Sequence, residues 1–176
     1  MPTEPAALEA FVRDIADFPK PGITFKDITP LLADPAALAA AVDRLAEPFA
    51  EQGITKVVGM EARGFIFAAP VAVALGAGFV PVRKAGKLPW AVNRQSYDLE
   101  YGTDLLEIHQ DGVLQHDRVL IVDDVLATGG TAAATNELLR HSGADVAGFA
   151  FVVELGFLGG RMALGDTSIT SLITYS

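Results

Sequence analysis

The stretch at residues 119–131 limits the fold of this chain more than any other part of the sequence. Its first four residues are all apolar, which is typical of a strand buried on both faces of a parallel sheet. Asp123 and Asp124 follow where that strand is expected to end, and a loop of small residues then leads into an Ala-rich helical pattern at 132–140. This succession of strand, loop and helix predicts an α/β fold with its ligand site at the carboxyl ends of the strands.

The loop at residues 127–131 indicates what kind of ligand binds there. Its sequence, Ala-Thr-Gly-Gly-Thr, places backbone N–H groups at a helix N-terminus, which is a favourable setting for a phosphate. Because adjacent acids can hold sugar hydroxyls or lie near a metal, the stretch predicts a phosphorylated sugar. An ordinary strand–turn–helix with polar turn residues is the alternative, but it gives Asp123 and Asp124 no evident use.

Length and composition predict a single soluble domain. The chain has 176 residues, of which 51% are hydrophobic and 20% charged, and it is long enough for a proper core. It has no cysteine, so neither disulfides nor thiolate metal sites are expected. No apolar run reaches the roughly 18 residues of a membrane span. The first residues carry Glu4, Glu9 and Asp14 and do not follow a signal-peptide pattern, so a cytoplasmic protein with no membrane partner is expected.

Charge is distributed unevenly along the chain. The net charge of −9 argues against broad nucleic-acid binding. Yet residues 62–97 contain no acid, and they include the bases Arg63, Arg83, Lys84, Lys87 and Arg94. Such segregation would focus positive potential on a small polyanion. The alternative is chance, together with one buried apolar helix that excludes charge.

Strands and helices alternate along the sequence, which predicts a mostly parallel twisted sheet flanked by helices in one domain, residues 1–176. Helices are predicted at 5–17, 35–52, 65–75 and 132–140, with a short helix or turn at 157–165. Strands are predicted at 56–60, 79–83, 118–122, 144–154 and 168–175, with an extended segment at 23–28 and a possible hairpin over 97–109. The apolar helix at 65–75 is expected to be buried, and Pro81 indicates an edge or irregular strand. Residues 84–96 show no periodicity and are predicted to form a mobile loop.

Residues 119–131 resemble the phosphoribosyl-pyrophosphate signature of the type I phosphoribosyltransferases. Within that family, four further segments are similar to adenine phosphoribosyltransferases and occur in the same order. They are the base-site segment at 18–28, the pyrophosphate loop at 61–65, and the start and end of a catalytic loop at 82–89 and 97–102. The resemblance implies the type I phosphoribosyltransferase fold, with a small hood-like segment at about 1–35 and a mobile catalytic loop at about 84–96.

The same resemblance implies a reaction: adenine and phosphoribosyl pyrophosphate give AMP and pyrophosphate, with Mg²⁺, in a cytoplasmic homodimer. Arg63 and Lys87 are then candidate catalytic cations, and Arg83 and Lys84 are candidate pyrophosphate ligands. No protein side chain is assigned to the metal, which is expected to arrive chelated by the substrate. The loop at 84–96 is expected to close over the substrates and exclude water.

For the sugar phosphate, the resemblance implies that Asp123 and Asp124 hold the ribose hydroxyls. Their charge would also favour an oxocarbenium-like transition state. The 5′-phosphate is expected to bind to the loop that carries Ala127, Thr128, Gly129, Gly130 and Thr131.

For the base, Phe25 and Val125 are the expected faces of an adenine slot, and backbone groups near residues 23–25 are expected to recognise the 6-amino group. Lys26 stands where Arg is common in the family; it keeps the charge but loses the planar fork. Glu100 is the candidate general acid/base at the purine ring.

Two other functions remain open from the sequence. One is a related transferase that uses hypoxanthine, guanine or xanthine, against which the Phe25 segment and Glu100 argue. The other is a non-catalytic regulator that senses purines or phosphoribosyl pyrophosphate, although the acidic chain has no room for a helix-turn-helix domain.

Overall fold

The computed structural model describes residues 5–99 and 102–176. In chain order its elements are α1 (Pro5–Glu9), β1 (Arg13–Ile15), β2 (Phe25–Asp27), α2 (Thr29–Ala33), α3 (Pro35–Ala46), β3 (Lys56–Met60), α4 (Gly64–Leu75), β4 (Gly78–Lys84), β5 (Val92–Asp98), β6 (Thr103–His109), β7 (Arg118–Leu126), α5 (Gly130–His141), β8 (Asp145–Leu155) and β9 (Ile169–Tyr175). Short 3₁₀ turns lie at Glu47–Phe49, Gly156–Leu158 and Gly160–Leu164. In this part of the chain, no helix is both long and apolar enough to cross a membrane.

A seven-stranded sheet in the order β5-β6-β4-β3-β7-β8-β9 carries the fold. Five neighbouring strands run parallel to one another: β4, β3, β7, β8 and β9. Strands β5 and β6 add an antiparallel hairpin at the edge next to β4. This confirms the predicted α/β domain with a mostly parallel sheet. The carboxyl ends of β3, β7 and β8 therefore meet at one edge of the sheet, where ligands of such folds bind.

Apolar side chains cover both faces of the sheet. On one face Leu45 of α3 and Phe67 of α4 pack with Leu120 of β7, and on the other Leu138 of α5 packs with Phe149 of β8. All of these side chains are almost completely buried, and each contributes about 1.5–3 kcal/mol by leaving water. Burial on both faces is the reason that β7 begins as a continuous apolar run.

Helix α3 begins where the sequence predicts. The Asp34 carboxylate accepts hydrogen bonds from the N–H groups of Ala36 and Ala37, and Pro35 occupies the first helical position. The α-helix ends at Ala46, and Pro48 lies in the 3₁₀ turn that follows, as expected for a proline that shortens a helix.

The N-terminal helix is shorter than its apolar spacing predicts. It ends at Glu9 rather than Asp17, and residues 13–15 form a strand that pairs antiparallel with β2. The Arg13 guanidinium and the Asp27 carboxylate lie 2.8 Å apart across this pair. Pairing with a strand ten residues further on therefore overrides the local helical pattern.

The predicted irregular loop at 84–96 is also shorter. Strand β5 begins at Val92 and pairs with β6 along its whole length, so only residues 85–91 connect β4 to β5. Strand β6 supplies the backbone hydrogen-bond partners of β5, and this pairing does not require alternating apolar and polar residues in the sequence of β5. The hairpin predicted over 97–109 is confirmed, and it is longer than predicted.

Three further expectations change in the structure. Strand β7 continues to Leu126 rather than ending at Val122, because β8 pairs with it as far as Glu154. Helix α4 is not fully buried, since Ile66 is 41% and Val73 82% exposed in the single chain. Strand β4 is internal rather than an edge, but β6 joins it only beyond Pro81, at Arg83 and Lys84.

Candidate active site

Two cavities meet at the carboxyl ends of β3 and β7. The larger, about 450 Å³, lies between β2, the β3–α4 connection, β7 and the end of β8. The smaller, about 90 Å³, is lined by Asp123, residues 125–132 and Phe151. Asp123, Val125, Ala127 and Thr131 line both cavities. The two spaces are therefore parts of one elongated site with a small compartment at one end.

Residues 127–131 form much of the wall of the small compartment, and we name them the phosphate loop after the ligand that the sequence predicts for them. Gly129 has a φ of 83°, a left-handed conformation that favours glycine, and α5 begins at the next residue. Among the described residues, no side chain caps this helix N-terminus. Its first N–H groups and the positive end of its dipole are therefore available to an anion.

Asp123 and Asp124 lie side by side within β7, where the two cavities join. The Asp124 N–H donates a hydrogen bond of 2.9 Å to Oδ1 of Asp123. The N-terminus of α4 approaches closely here: a Cβ on Gly64 would stand 2.7 Å from the same oxygen. Burial, together with the neighbouring charge of Asp124, raises the pKa of Asp123 well above its ordinary value.

Arg63 connects the carboxylates to the larger cavity. Its Nε lies 2.7 Å from Oδ2 of Asp124, which is buried, whereas the arginine side chain is about half exposed. Its guanidinium carbon also lies 5.5 Å from the centre of the Phe25 ring.

The carboxylate of Glu61 lies among three basic residues. We name Glu61, Arg83, Lys84 and Lys87 the Glu61 cluster. Lys87 Nζ lies 2.5 Å from one carboxylate oxygen, and the other accepts from Arg83 Nε at 3.2 Å and the Lys84 N–H at 3.0 Å. Burial raises the pKa of Glu61, but hydrogen bonds from Lys87 and the Lys84 N–H outweigh it and hold the pKa below its ordinary value. The Lys84 ammonium lies 3.3 Å from Asp104, whose hydrogen bond raises the pKa of that lysine.

The structure brings most of the predicted site residues together. Around the larger cavity lie Phe25, Lys26, Arg63, Asp123, Asp124, Val125, Ala127 and Thr131, and around the smaller one lie Thr128, Gly129 and Gly130 as well. Arg83, Lys84 and Lys87 do not line either cavity and connect to the site through Glu61. Glu100 lies outside the described residues, so its role stays a prediction.

Lys26 directs its charge away from the carboxylates of β7. Its Nζ lies 2.6 Å from Asp14 and 3.8 Å from the centre of the Tyr175 ring. The ammonium therefore links the β1–β2 pair to the last strand of the main sheet, while the residue still lines the larger cavity.

Sequence reasoning missed two residues of the site. The motif at 61–65 contains Glu61 but gives it no role, because its partners Lys84 and Lys87 are 23 and 26 residues away. Leu155 forms part of the wall of the larger cavity. It ends β8, the strand next to β7, so the rule that ligands bind at the carboxyl ends of strands could have identified it.

A resident metal site is not evident in the described part of the chain. Within residues 5–99 and 102–176, no three His, Cys, Asp or Glu side chains are grouped so that they could hold an ion. Asp123 and Asp124 supply hard oxygen ligands beside the cavities, which suits a Mg²⁺ ion that keeps most of its ligands from phosphate and water.

Comparison with known proteins places this site in a family. Residues 26–160 match the model of the phosphoribosyl transferase domain. An adenine phosphoribosyltransferase of Streptomyces coelicolor is 57% identical over 98% of this chain and 99% of its own. Among solved structures, the adenine phosphoribosyltransferase of Rhodothermus marinus is 51% identical, with a TM-score of 0.92 over 97% of this chain and 98% of that one.

A third relative was solved with ligands. The Saccharomyces cerevisiae adenine phosphoribosyltransferase, in complex with adenine and an imino-altritol bisphosphate, is 41% identical and has a TM-score of 0.90 over 96% of this chain and 97% of its own. The matching model covers most of the chain, and these relatives match it over nearly their full length. This chain therefore belongs to the phosphoribosyltransferase family, and within it to the adenine phosphoribosyltransferases.

Proposed function

We propose that this chain transfers the 5-phosphoribosyl group from phosphoribosyl pyrophosphate to adenine, forming AMP and releasing pyrophosphate, a step of purine salvage. The observation that carries the proposal is the continuity of the two cavities across Asp123 and Val125. A phosphate-sized compartment is thereby joined to a larger space that has Phe25 on one side. The names of the relatives support the same reaction.

The sugar phosphate is held at the junction of the cavities. The 5′-phosphate accepts hydrogen bonds from the N–H groups of the phosphate loop and the first turn of α5. Asp123 and Asp124 accept from the ribose hydroxyls, and their negative charge stabilises the positive charge that develops on the ribose ring as the bond to pyrophosphate breaks.

The leaving pyrophosphate is held by cations that are paired with carboxylates in this structure. Arg63 is paired with Asp124, and Arg83 and Lys87 are paired with Glu61. Phosphate oxygens replace these carboxylates as substrate binds, so the cationic charge is delivered to the leaving group. Since all three cations are at least one-third exposed, the exchange requires only side-chain rotation.

Adenine lies between Phe25 and Val125, with Leu155 closing the slot. Phe18 packs edge-to-face on Phe25 at 5.3 Å between ring centres and supports one wall. Glu100 is proposed to handle the proton on the purine ring. The Glu100→Ala variant should lose turnover far more than substrate affinity, and near-normal turnover would remove this residue from the mechanism.

We propose that Mg²⁺ enters bound to phosphoribosyl pyrophosphate. The carboxylates of Asp123 and Asp124 are the residues placed to bind it or its waters, and the ion would neutralise charge on the pyrophosphate. The residues of this chain orient the sugar and the leaving group around it.

A homodimer would explain the exposed face of α4. Ile66 and Val73 are seven residues apart on an apolar helix, so they lie on the same side of it. Both are exposed in the single chain. A second copy of the chain is the proposed cover. The Val73→Glu variant should lower the mass measured by light scattering to that of a monomer, whereas Leu114→Glu, at another exposed apolar position, should not.

We infer a cytoplasmic location from the cysteine-free composition, because disulfides are characteristic of secreted and extracellular proteins. Fractionation of cells that produce the chain tests this location.

The proposed reaction is tested by AMP formation from adenine and phosphoribosyl pyrophosphate, with and without Mg²⁺. Hypoxanthine, guanine and xanthine serve as competing bases. Adenine should be used far better than the others, and activity should require the metal. Turnover of another base in preference to adenine would instead support the related transferase. Tight binding of phosphoribosyl pyrophosphate without any turnover would support a sensing protein.

A further inference from the structure

The phosphate loop rests on a short segment that follows β8. We name residues 159–164 the brace. A Cβ on Gly129 would stand 2.5 Å from the carbonyl oxygen of Gly160, and a Cβ on Gly160 would stand 2.3 Å from the carbonyl oxygen of Ala127. Loop and brace are therefore in backbone contact, with no room for a side chain between them. The shape of the loop depends on where the brace lies.

Little within the brace itself fixes that position. It is a single 3₁₀ turn, with glycine at 159, 160 and, just beyond it, 165, and its Met162 is 86% exposed. Short 3₁₀ turns have poor hydrogen-bond geometry, and glycine loses the most conformational freedom on ordering. Leu164 is the one buried apolar side chain of the brace. A further attachment is needed to hold Gly160 against the loop.

A forked ion pair supplies this attachment. Arg161 Nε lies 2.7 Å from one oxygen of Glu154, and its Nη2 lies 2.8 Å from the other. Glu154 is buried, and it lies in β8 beside Leu126, the last residue of β7 before the loop. The hydrogen bond from Arg161 lowers the pKa of Glu154, so the pair is charged across the neutral pH range. A bidentate pair of this kind fixes orientation as well as distance.

We propose that Arg161 is a positioning residue for the 5′-phosphate site, which it holds in shape by fixing Gly160 against the phosphate loop through the fork to Glu154. The proposal rests on the proposed function, since it assigns the 5′-phosphate to that loop. The hydrogen bonds found for the Arg161 side chain go to Glu154. Its effect reaches the ligand through the backbone of Gly160.

The test separates the two substrates. KM for phosphoribosyl pyrophosphate and KM for adenine are measured independently in the wild type and in Arg161→Ala, Arg161→Lys and Glu154→Gln. Arg140→Ala is the matched control, because Arg140 is an exposed arginine paired with Glu137 on α5, at the far end of that helix from the loop. Binding of ribose 5-phosphate is measured by calorimetry in the same proteins, and melting temperatures report on folding.

Arg161→Ala should raise KM for phosphoribosyl pyrophosphate and Kd for ribose 5-phosphate about tenfold, as expected when a supporting group is lost and a binding loop shifts. KM for adenine should stay within about twofold, because the base slot keeps Phe25 and Val125. Arg161→Lys and Glu154→Gln, which each keep one hydrogen bond of the fork, should give intermediate values, and Arg140→Ala should match the wild type.

A lower melting temperature with both constants unchanged would overturn the proposal, because the fork would then only stabilise the fold. An equal rise in KM for both substrates would overturn it too. If Arg161→Ala fails to fold, the same comparison of the two KM values is made with Arg161→Lys and Glu154→Gln. If the wild type forms no AMP, the proposed function fails, and the ribose 5-phosphate titration still decides on the role of Arg161.

Discussion

The phosphate loop and the Glu61 cluster are two proposed anion sites that are built in opposite ways. The loop offers backbone N–H groups, has no charged side chain, and is fixed by glycine packing against Gly160. The Glu61 cluster offers long cationic side chains that are one-third to one-half exposed, and Arg83 and Lys87 share the single carboxylate of Glu61. The loop has its shape before the ligand arrives. The cluster must exchange partners to bind one.

This difference suits the two ends of the proposed substrate. The 5′-phosphate is present on substrate and product alike, so a rigid site can hold it throughout the reaction. The pyrophosphate must be bound, stabilised as it leaves and then released, and competition with Glu61 limits how tightly the cations hold it. The comparison predicts that changes in the loop affect folding and binding together, whereas changes in the cluster affect mainly catalysis.

The largest effect is expected from Gly129→Ala in the phosphate loop. A left-handed conformation costs a non-glycine residue about 1–2 kcal/mol, and the new Cβ would overlap the Gly160 carbonyl oxygen, which adds about 1–3 kcal/mol. The free energy of unfolding should therefore fall by about 3 kcal/mol, as measured by chemical denaturation. KM for phosphoribosyl pyrophosphate should rise in the same variant.

Gly130→Ala is the matched control for that loss of stability. A Cβ there would have only the Thr128 hydroxyl oxygen nearby, at 3.9 Å, and the backbone is already helical. Its stability should stay within about 0.5 kcal/mol of the wild type. Equal destabilisation by the two substitutions would show that the contact with the brace does not fix the loop.

The loop and the cluster also differ in how far sequence could predict them. The apolar run of β7, the two acids and the glycine loop are contiguous, so their local pattern gives both the strand–loop–helix and its ligand. Glu61 meets Lys87 only because β3 and β4 are neighbours in the sheet, and no local pattern encodes that pairing. The same limit explains why 13–15 were predicted as helix and 92–96 as loop: both segments become strands by pairing with partners distant in sequence. The contact of the brace with the phosphate loop likewise depends on the pairing of β7 with β8.

An intermediate effect is expected from Lys87→Ala in the Glu61 cluster. Because the lysine is about half exposed, its ion pair contributes little to folding, and stability should change by less than about 1 kcal/mol. The kcat/KM for phosphoribosyl pyrophosphate should nevertheless fall about tenfold, equivalent to ~1.4 kcal/mol of transition-state stabilisation. Arg140→Ala, which also breaks an exposed ion pair, should leave both quantities unchanged. Unchanged kcat/KM in Lys87→Ala would remove this lysine from the pyrophosphate site.

The smallest effect is on the pH dependence of stability, where Asp123 and Glu61 should act with opposite signs. The pKa of Glu61 is lowered in the fold, so its ionised form stabilises the chain above the pKa of an unfolded Glu, and this contribution is lost as the pH falls through the folded pKa. The pKa of Asp123 is raised, so its ionisation opposes folding as the pH rises above the pKa of an unfolded Asp.

At pH 7, Glu61→Gln should therefore melt below the wild type and Asp123→Asn above it. Both differences should shrink as the pH falls below about 4, where the unfolded carboxyls are protonated. The test is to measure the melting temperatures of the three proteins at intervals of about one pH unit, from about pH 3 to about pH 7. If Asp123→Asn melts below the wild type at pH 7, the Asp123 carboxylate stabilises the fold, and the proposed site then carries no cost in stability at this position.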